Sequence, residues 1–187
     1  DNEQALPGYY EVLLKTHNTK VELTASDRVA FHRYTFPKDA EKHVMINLKD
    51  ANGDDRPTNT YLEQMNDTVI RGYRHSTGWS KKQQIYFTAV FSQPIHLALY
   101  HDSVQVAGNH LQGLDVKGNV SIVSTKEELC VKVGISPVSM DNAMGNIQQE
   151  IKNWDFEKIV EETTKKWNTE LSKLQVETNN VAAKRVF

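Results

Sequence analysis

The sequence holds a single cysteine, Cys130, so neither an intrachain disulfide nor a cysteine-cluster metal site can form. That thiol sits in the apolar run Leu129-Cys130-Val131-Lys132-Val133, where it reads as a small buried hydrophobe. It leaves the redox compartment open. No apolar run approaches the roughly 20 residues that a membrane-spanning helix needs. Asp1-Asn2-Glu3-Gln4 has no basic stretch leading into an apolar core, so no signal peptide is visible. Neither sign of charge is in excess. A formal net charge of −2 gives no long-range field toward nucleic acid or an anionic membrane.

Catalytic and cofactor motifs are equally scarce. The 7 histidines include no His-x-x-x-His pair, so no zinc ligand set is marked. There is no Gly-x-Ser-x-Gly, no phosphate-binding loop and no dinucleotide fingerprint. The stretch Asp50-Ala-Asn-Gly-Asp-Asp55 has the look of a calcium loop but lacks the closing glutamate of an EF-hand. It reads as a turn in which Asp and Asn bond their own backbone. The residues therefore mark no metal site and no catalytic carboxylate pair.

What is present is a chain of 187 residues, 39% hydrophobic and 25% charged, as expected of a globular domain of ordinary size. Up to Ser136 it reads mostly as strands. Val21-Glu-Leu-Thr alternates apolar and polar residues, and Val29 to Phe36 puts Val29, Phe31 and Arg33 on one face before Pro37 ends the run. Further runs are His43–Leu48, Thr68–Tyr73, Gln84–Phe91, Ile95–Tyr100, Asn119–Ser124 and Glu128–Ile135, with Asp50–Pro57 a dense turn cluster. Short strands punctuated by turns, with no helices between them, argue for an antiparallel β-sandwich.

The character changes after Pro137. Ser139 is placed to cap a helix from Met140 to Ile151, and Asp155 to cap a stronger one. In that second helix Phe156, Ile159, Val160, Thr163, Trp167, Leu171 and Leu174 form one apolar stripe, which needs something to bury it. Phe156, Ile159, Val160, Trp167 and Leu171 are accordingly the candidate interdomain-packing residues. Asn179 to Phe187 begins a further helical pattern, while Gly8-Tyr-Tyr-Glu-Val-Leu-Leu opens as if already within a sheet. Both ends suit a chain that lacks its first strands and continues past Phe187.

Trp79, in Gly78-Trp79-Ser80, is a candidate sugar-stacking residue, because sugar C–H faces pack on aromatic rings. The plainer reading is an aromatic plugging the sandwich rim. His75 and His110 lie in glycine-containing sequence that reads as loop, and His75 is the second carbohydrate-contact candidate.

Val21–Pro37, Gly78–Phe87 and Val131–Ser139 resemble stretches of the N-terminal domain of glycoside hydrolase family 92. Asn153-Trp-Asp-Phe and Lys166-Trp-Asn-Thr-Glu-Leu171 are similar to that family's interdomain helices. One departure is Ala30, where the family motif carries glycine. The resemblance implies a mainly β fold, an antiparallel sandwich of the galactose-mutarotase or supersandwich kind followed by linker α-helices. Residues 1–137 would be the sandwich, 138–178 the linker and 179–187 the start of an (α/α)6 catalytic barrel.

The family's members are calcium-dependent, inverting exo-α-mannosidases. Inversion needs a carboxylic acid and a carboxylate base about 6.5–9.5 Å apart. The resemblance places both carboxyls and the calcium ligands mainly in the barrel, so no catalytic residue and no bound calcium are expected of this chain. It further implies mannose-containing glycans and the barrel as partners, an α-1,2-mannosidase-like parent, and a periplasmic, cell-surface or secreted location. No nucleic-acid partner and no membrane-spanning segment are expected. The alternative is a non-catalytic carbohydrate-binding or structural sandwich.

Overall fold

The computed structural model describes residues 2–186; Phe187, named above in the last helical pattern, lies outside the described residues. In chain order the strands are β1 (Glu3–Leu6), β2 (Tyr9–Leu14), β3 (Thr19–Ala25), β4 (Val29–Thr35), β5 (His43–Asn47), β6 (Arg56–Asn66) and β7 (Val69–Thr77). They continue with β8 (Gln83–Phe91), β9 (Ile95–His101), β10 (Val104–Val106), β11 (His110–Gly113), β12 (Val116–Ile122) and β13 (Glu128–Ser136). Three helices follow: α1 (Met140–Glu150), α2 (Phe156–Leu171) and α3 (Val181–Val186).

Among the described residues the strands form two antiparallel sheets. The larger has nine strands in the order β1-β2-β3-β4-β13-β8-β7-β6-β11, and the smaller has four, β10-β9-β12-β5. Leu62, Ile70, Leu99, Val116 and Val120, each fully buried, fill the space between them. A side chain of that size contributes up to about 1.5–3 kcal/mol when removed from water. The sandwich expected from the strand pattern is therefore present. The run Gly8–Leu14 lies within the larger sheet, as its sequence suggests: β2 pairs with β1 on one side and with β3 on the other, and β1 forms the edge.

The helices do not trail from the sandwich; α1 and α2 pack back onto the outer face of the larger sheet as a third layer. Strand alternation prepares that face. Val29 and Phe31 point outward from β4 and join Cys130, Ile147, Ile151, Phe156 and Ile159 in a second core. Gly134 of β13 makes the approach of α1 possible, because any side chain there would collide with the Ala143 carbonyl. Both caps form as their residues foretell. The Ser139 hydroxyl accepts from the Asn142 N–H at 3.0 Å, and the Asp155 carboxylate accepts from the Lys158 N–H at 3.1 Å.

The apolar stripe of α2 is divided. Phe156 and Ile159 are buried, and Val160 packs beside them on the sheet. Trp167 and Leu171 remain half exposed, at 50% and 51%. The physical cause is the length of the support. The Thr163 hydroxyl donates to the Ala25 carbonyl at 2.7 Å, and Lys166 pairs with Asp27, so the helix crosses the β3–β4 turn there; beyond it Trp167 borders an open groove with Leu6 and Tyr10, and Leu171 overhangs. Leu174, expected in the stripe, lies beyond the helix end at Leu171 and is 73% exposed.

Candidate functional site

Register on the larger sheet brings Tyr61, Tyr73 and Tyr86 side by side, with His75 next along β7. Tyr61 stacks on Tyr73 at 5.5 Å between centroids, Tyr73 stacks on His75 at 4.4 Å, and Tyr86 meets both Tyr73 and His75 edge-on. His75 is therefore not a loop histidine. It stands on an interior strand, and burial, followed by the nearby Lys82 charge, pushes its imidazole pKa down. One face of its ring is taken by Tyr73, so that face is not open to stack on sugar. Beside the ladder lies Asn59, whose amide donates to the Tyr73 hydroxyl at 3.3 Å.

Trp79 occupies the tip of the β7–β8 hairpin and is completely exposed. This overturns the rim-plug reading, because the indole fills no gap in the sandwich. The structure does not bring His75 and Trp79 together as one site, since His75 is stacked within the sheet. In the Asp50–Asp55 loop the bonds of Asp50 and Asp55 run to other side chains and not, as the turn reading expected, to the loop's own backbone. Asp55 accepts from Arg74 at 2.8 Å and from Ser76 at 3.1 Å, while the Asn47 amide donates to Asp50 at 2.8 Å.

The buried carboxylates are committed to cations: Asp115, beside β12, pairs with Lys49 at 2.6 Å, while Glu22 and the less buried Glu150 face the helices. Glu22 receives two bonds from the Arg33 fork, at 3.0 and 2.9 Å, together with the Tyr9 hydroxyl at 2.8 Å. Arg33 also pairs with Glu157 on α2, and its guanidinium lies 4.3 Å over the Phe156 ring. Glu150 accepts from the Ser26 hydroxyl at 2.7 Å and from the Arg28 side chain at 2.6 Å. Burial alone would raise the Glu22 pKa, but the bonds from Arg33, Tyr9 and Lys20 outweigh it and bring it down to about 2. A general acid needs the opposite displacement. These groups hold layers together.

A pH prediction follows from Glu22. Its folded pKa lies below the ordinary 4.5, so its contribution is complete above 4.5 and drains away as pH falls toward about 2. Denaturant midpoints measured down this range should fall, and Glu22→Gln should make the fall shallower. An unchanged slope in the variant would mean that Glu22 is not held as described.

Sequence reasoning missed the tyrosine ladder, which only strand register creates. The alternation of Tyr61, Tyr73 and Tyr86 with inward-facing neighbours was the available signal. It also missed the Arg33 fork, although Arg33 had been placed on the face of Val29 and Phe31.

Comparison with known families and structures gives a consistent result. The model described as the glycosyl hydrolase family 92 N-terminal domain matches residues 1–136, and that of the family's catalytic domain matches residues 142–187. The second match begins within α1. A family GH92 alpha-mannosidase from Bacteroides thetaiotaomicron, BT3965, superposes with a TM-score of 0.88 at 28% identity, over 96% of this chain and 25% of that one. Its structure in complex with mannoimidazole gives the same values: TM-score 0.88, 28% identity, 96% and 25% coverage. The GH92 family glycosyl hydrolase ccman5 gives 0.84 at 23% identity, over 96% and 26%, which speaks for the fold alone. Comparison with curated proteins gave no match. This chain spans about a quarter of the solved chains it resembles. With the sandwich, the packed helices and a family model matching 136 residues all in agreement, the chain belongs to glycosyl hydrolase family 92.

Proposed function

We propose that this chain is the sandwich and helical arm of an exo-acting α-mannosidase that hydrolyses mannosides or N-glycans with calcium-dependent inversion. In this reading α-1,2 linkages are the preferred substrates. The observation that carries the reading is the likeness to the alpha-mannosidase BT3965, with a TM-score of 0.88 over 96% of the chain at 28% identity. The role of these residues is support. The sandwich walls the substrate cleft, and the half-exposed face of α2, with Trp167 and Leu171, receives a helical barrel that carries the acid, the base and the calcium ligands. Trp79, completely exposed on its hairpin, is the residue placed to meet sugar or barrel. A periplasmic, cell-surface or secreted location goes with such substrates; the structure contributes only that no described helix is long and apolar enough to cross a membrane.

The carboxylate chemistry supports a supporting role. Glu22 and Glu150 are ionised and held by arginine, so neither is free to protonate a leaving oxygen. The purified 187-residue chain is accordingly expected to release no mannose from α-mannosides, with or without calcium. Release that rises with calcium and falls with a chelator would contradict the assignment of the machinery to other residues.

A further inference from the structure

Lys132 lies at the centre of β13 and is only 5% exposed, yet no carboxylate pairs with it among the described residues. Its ammonium donates to the Ile151 carbonyl at 2.9 Å and lies 4.1 Å over the Trp154 ring, with the Phe31 ring 5.9 Å away. Ile151 caps the C-terminus of α1, where helix carbonyls point outward and attract a cation. Trp154 belongs to the short corner between α1 and α2. One buried cation thus touches the end of the first helix and the approach to the second. An uncompensated buried charge is costly, and a carbonyl with one indole face returns only part of that cost. Burial pushes the ammonium pKa down, opposed only by the Cys130 thiol on the same strand. The cost and the contacts point in opposite directions, so stability is a poor reason for this residue to be a lysine.

We infer that Lys132 is a positioning residue whose buried ammonium selects one seating of the Ile151–Trp154 corner on the sheet, and so fixes the direction in which α2 crosses the sheet. Hydrophobic packing alone is non-directional and would allow the corner to slide. A donor aimed at one carbonyl and one ring face has a single solution. Buried polar groups that cost stability while enforcing a unique arrangement are known in other folds. The inference concerns this chain's own architecture and does not rest on the proposed activity.

The test uses the full chain labelled with 5-fluorotryptophan. Its 3 tryptophans give three fluorine resonances, and the fully exposed Trp79 serves as an internal reference. Lys132→Met keeps the length of the stem and removes the charge; Lys132→Arg keeps the charge. The methionine variant should melt no lower than the parent. Its Trp154 resonance should nevertheless broaden or split, and the bonded amides of Ile151, Asp155 and Lys158 should exchange roughly tenfold faster or more. The arginine variant should keep one Trp154 line. A methionine variant that melts lower with a single sharp Trp154 line would make Lys132 an ordinary stabilising contact and overturn the inference. So would one indistinguishable from the parent in line shape and exchange. Should the arginine not fit, the methionine comparison of melting against line shape decides alone.

Discussion

Replacing Arg33 with alanine is expected to cost about 3–5 kcal/mol of folding stability, far more than the surface position of its outer guanidinium edge would suggest. The reason is what it leaves behind. Glu22 has a side chain only 7% exposed, and two of its bonds come from the Arg33 fork. Without that fork the carboxylate keeps Tyr9 and Lys20 but loses its only bidentate partner. The same substitution removes the cation from the Phe156 ring and the partner of Glu157, so α2 loses its polar attachment to β4. Denaturant unfolding of Arg33→Ala, Glu22→Gln and the double variant tests the account. The double variant should be less destabilised than the sum of the single ones, because Arg33→Ala does most of its damage through Glu22. Additive costs would mean that the two side chains act separately. Arg33→Lys should recover little, since an ammonium cannot make the paired bonds of the fork.

Arg33 also shows how far the sequence could be read. Alternation placed it with Val29 and Phe31 on one face of β4, and the structure agrees; alternation could not say that the face looks onto helices. Period two assigns faces, whereas the layer that covers a face is chosen by packing between distant segments. The strand order has the same limit. β13 lies between β4 and β8, joining segments far apart in the chain, and no local signal encodes that insertion. β6 escaped the strand reading because Pro57 is its second residue and its pairing is interrupted between Pro57 and Asn59 and again between Gln64 and Asn66. β10 and β11 are short, of three and four residues, with too little alternation to register. His75 was legible as a histidine near a glycine, but its stacked surroundings depend on which residues lie opposite, and register decides that. The helix caps were legible in full because a cap is a local device, made by a side chain bonding three residues ahead.

The divided stripe of α2 leads to the second large effect. Phe156→Ala is expected to cost about 3–5 kcal/mol, whereas Trp167→Ala and Leu171→Ala should each stay within about 0.5 kcal/mol in the same chain. All three belong to one helical stripe and look equivalent by spacing. Phe156 is 2% exposed, edge-on to Phe31 at 5.2 Å and covered by Arg33, so truncating it opens a cavity where two layers meet. Leu171 overhangs, Trp167 borders an open groove beside Leu6 and Tyr10, and both are half in water already, so truncating them removes less burial. Urea midpoints of the three variants would establish the difference. A Trp167→Ala cost approaching that of Phe156→Ala would mean that this face is covered in solution, and a dependence of that cost on protein concentration would identify the cover as a second copy of the chain. If the costs separate as expected, the stripe has two roles divided at Thr163. The front half fastens the helix to the sandwich, and the back half is free to receive another layer.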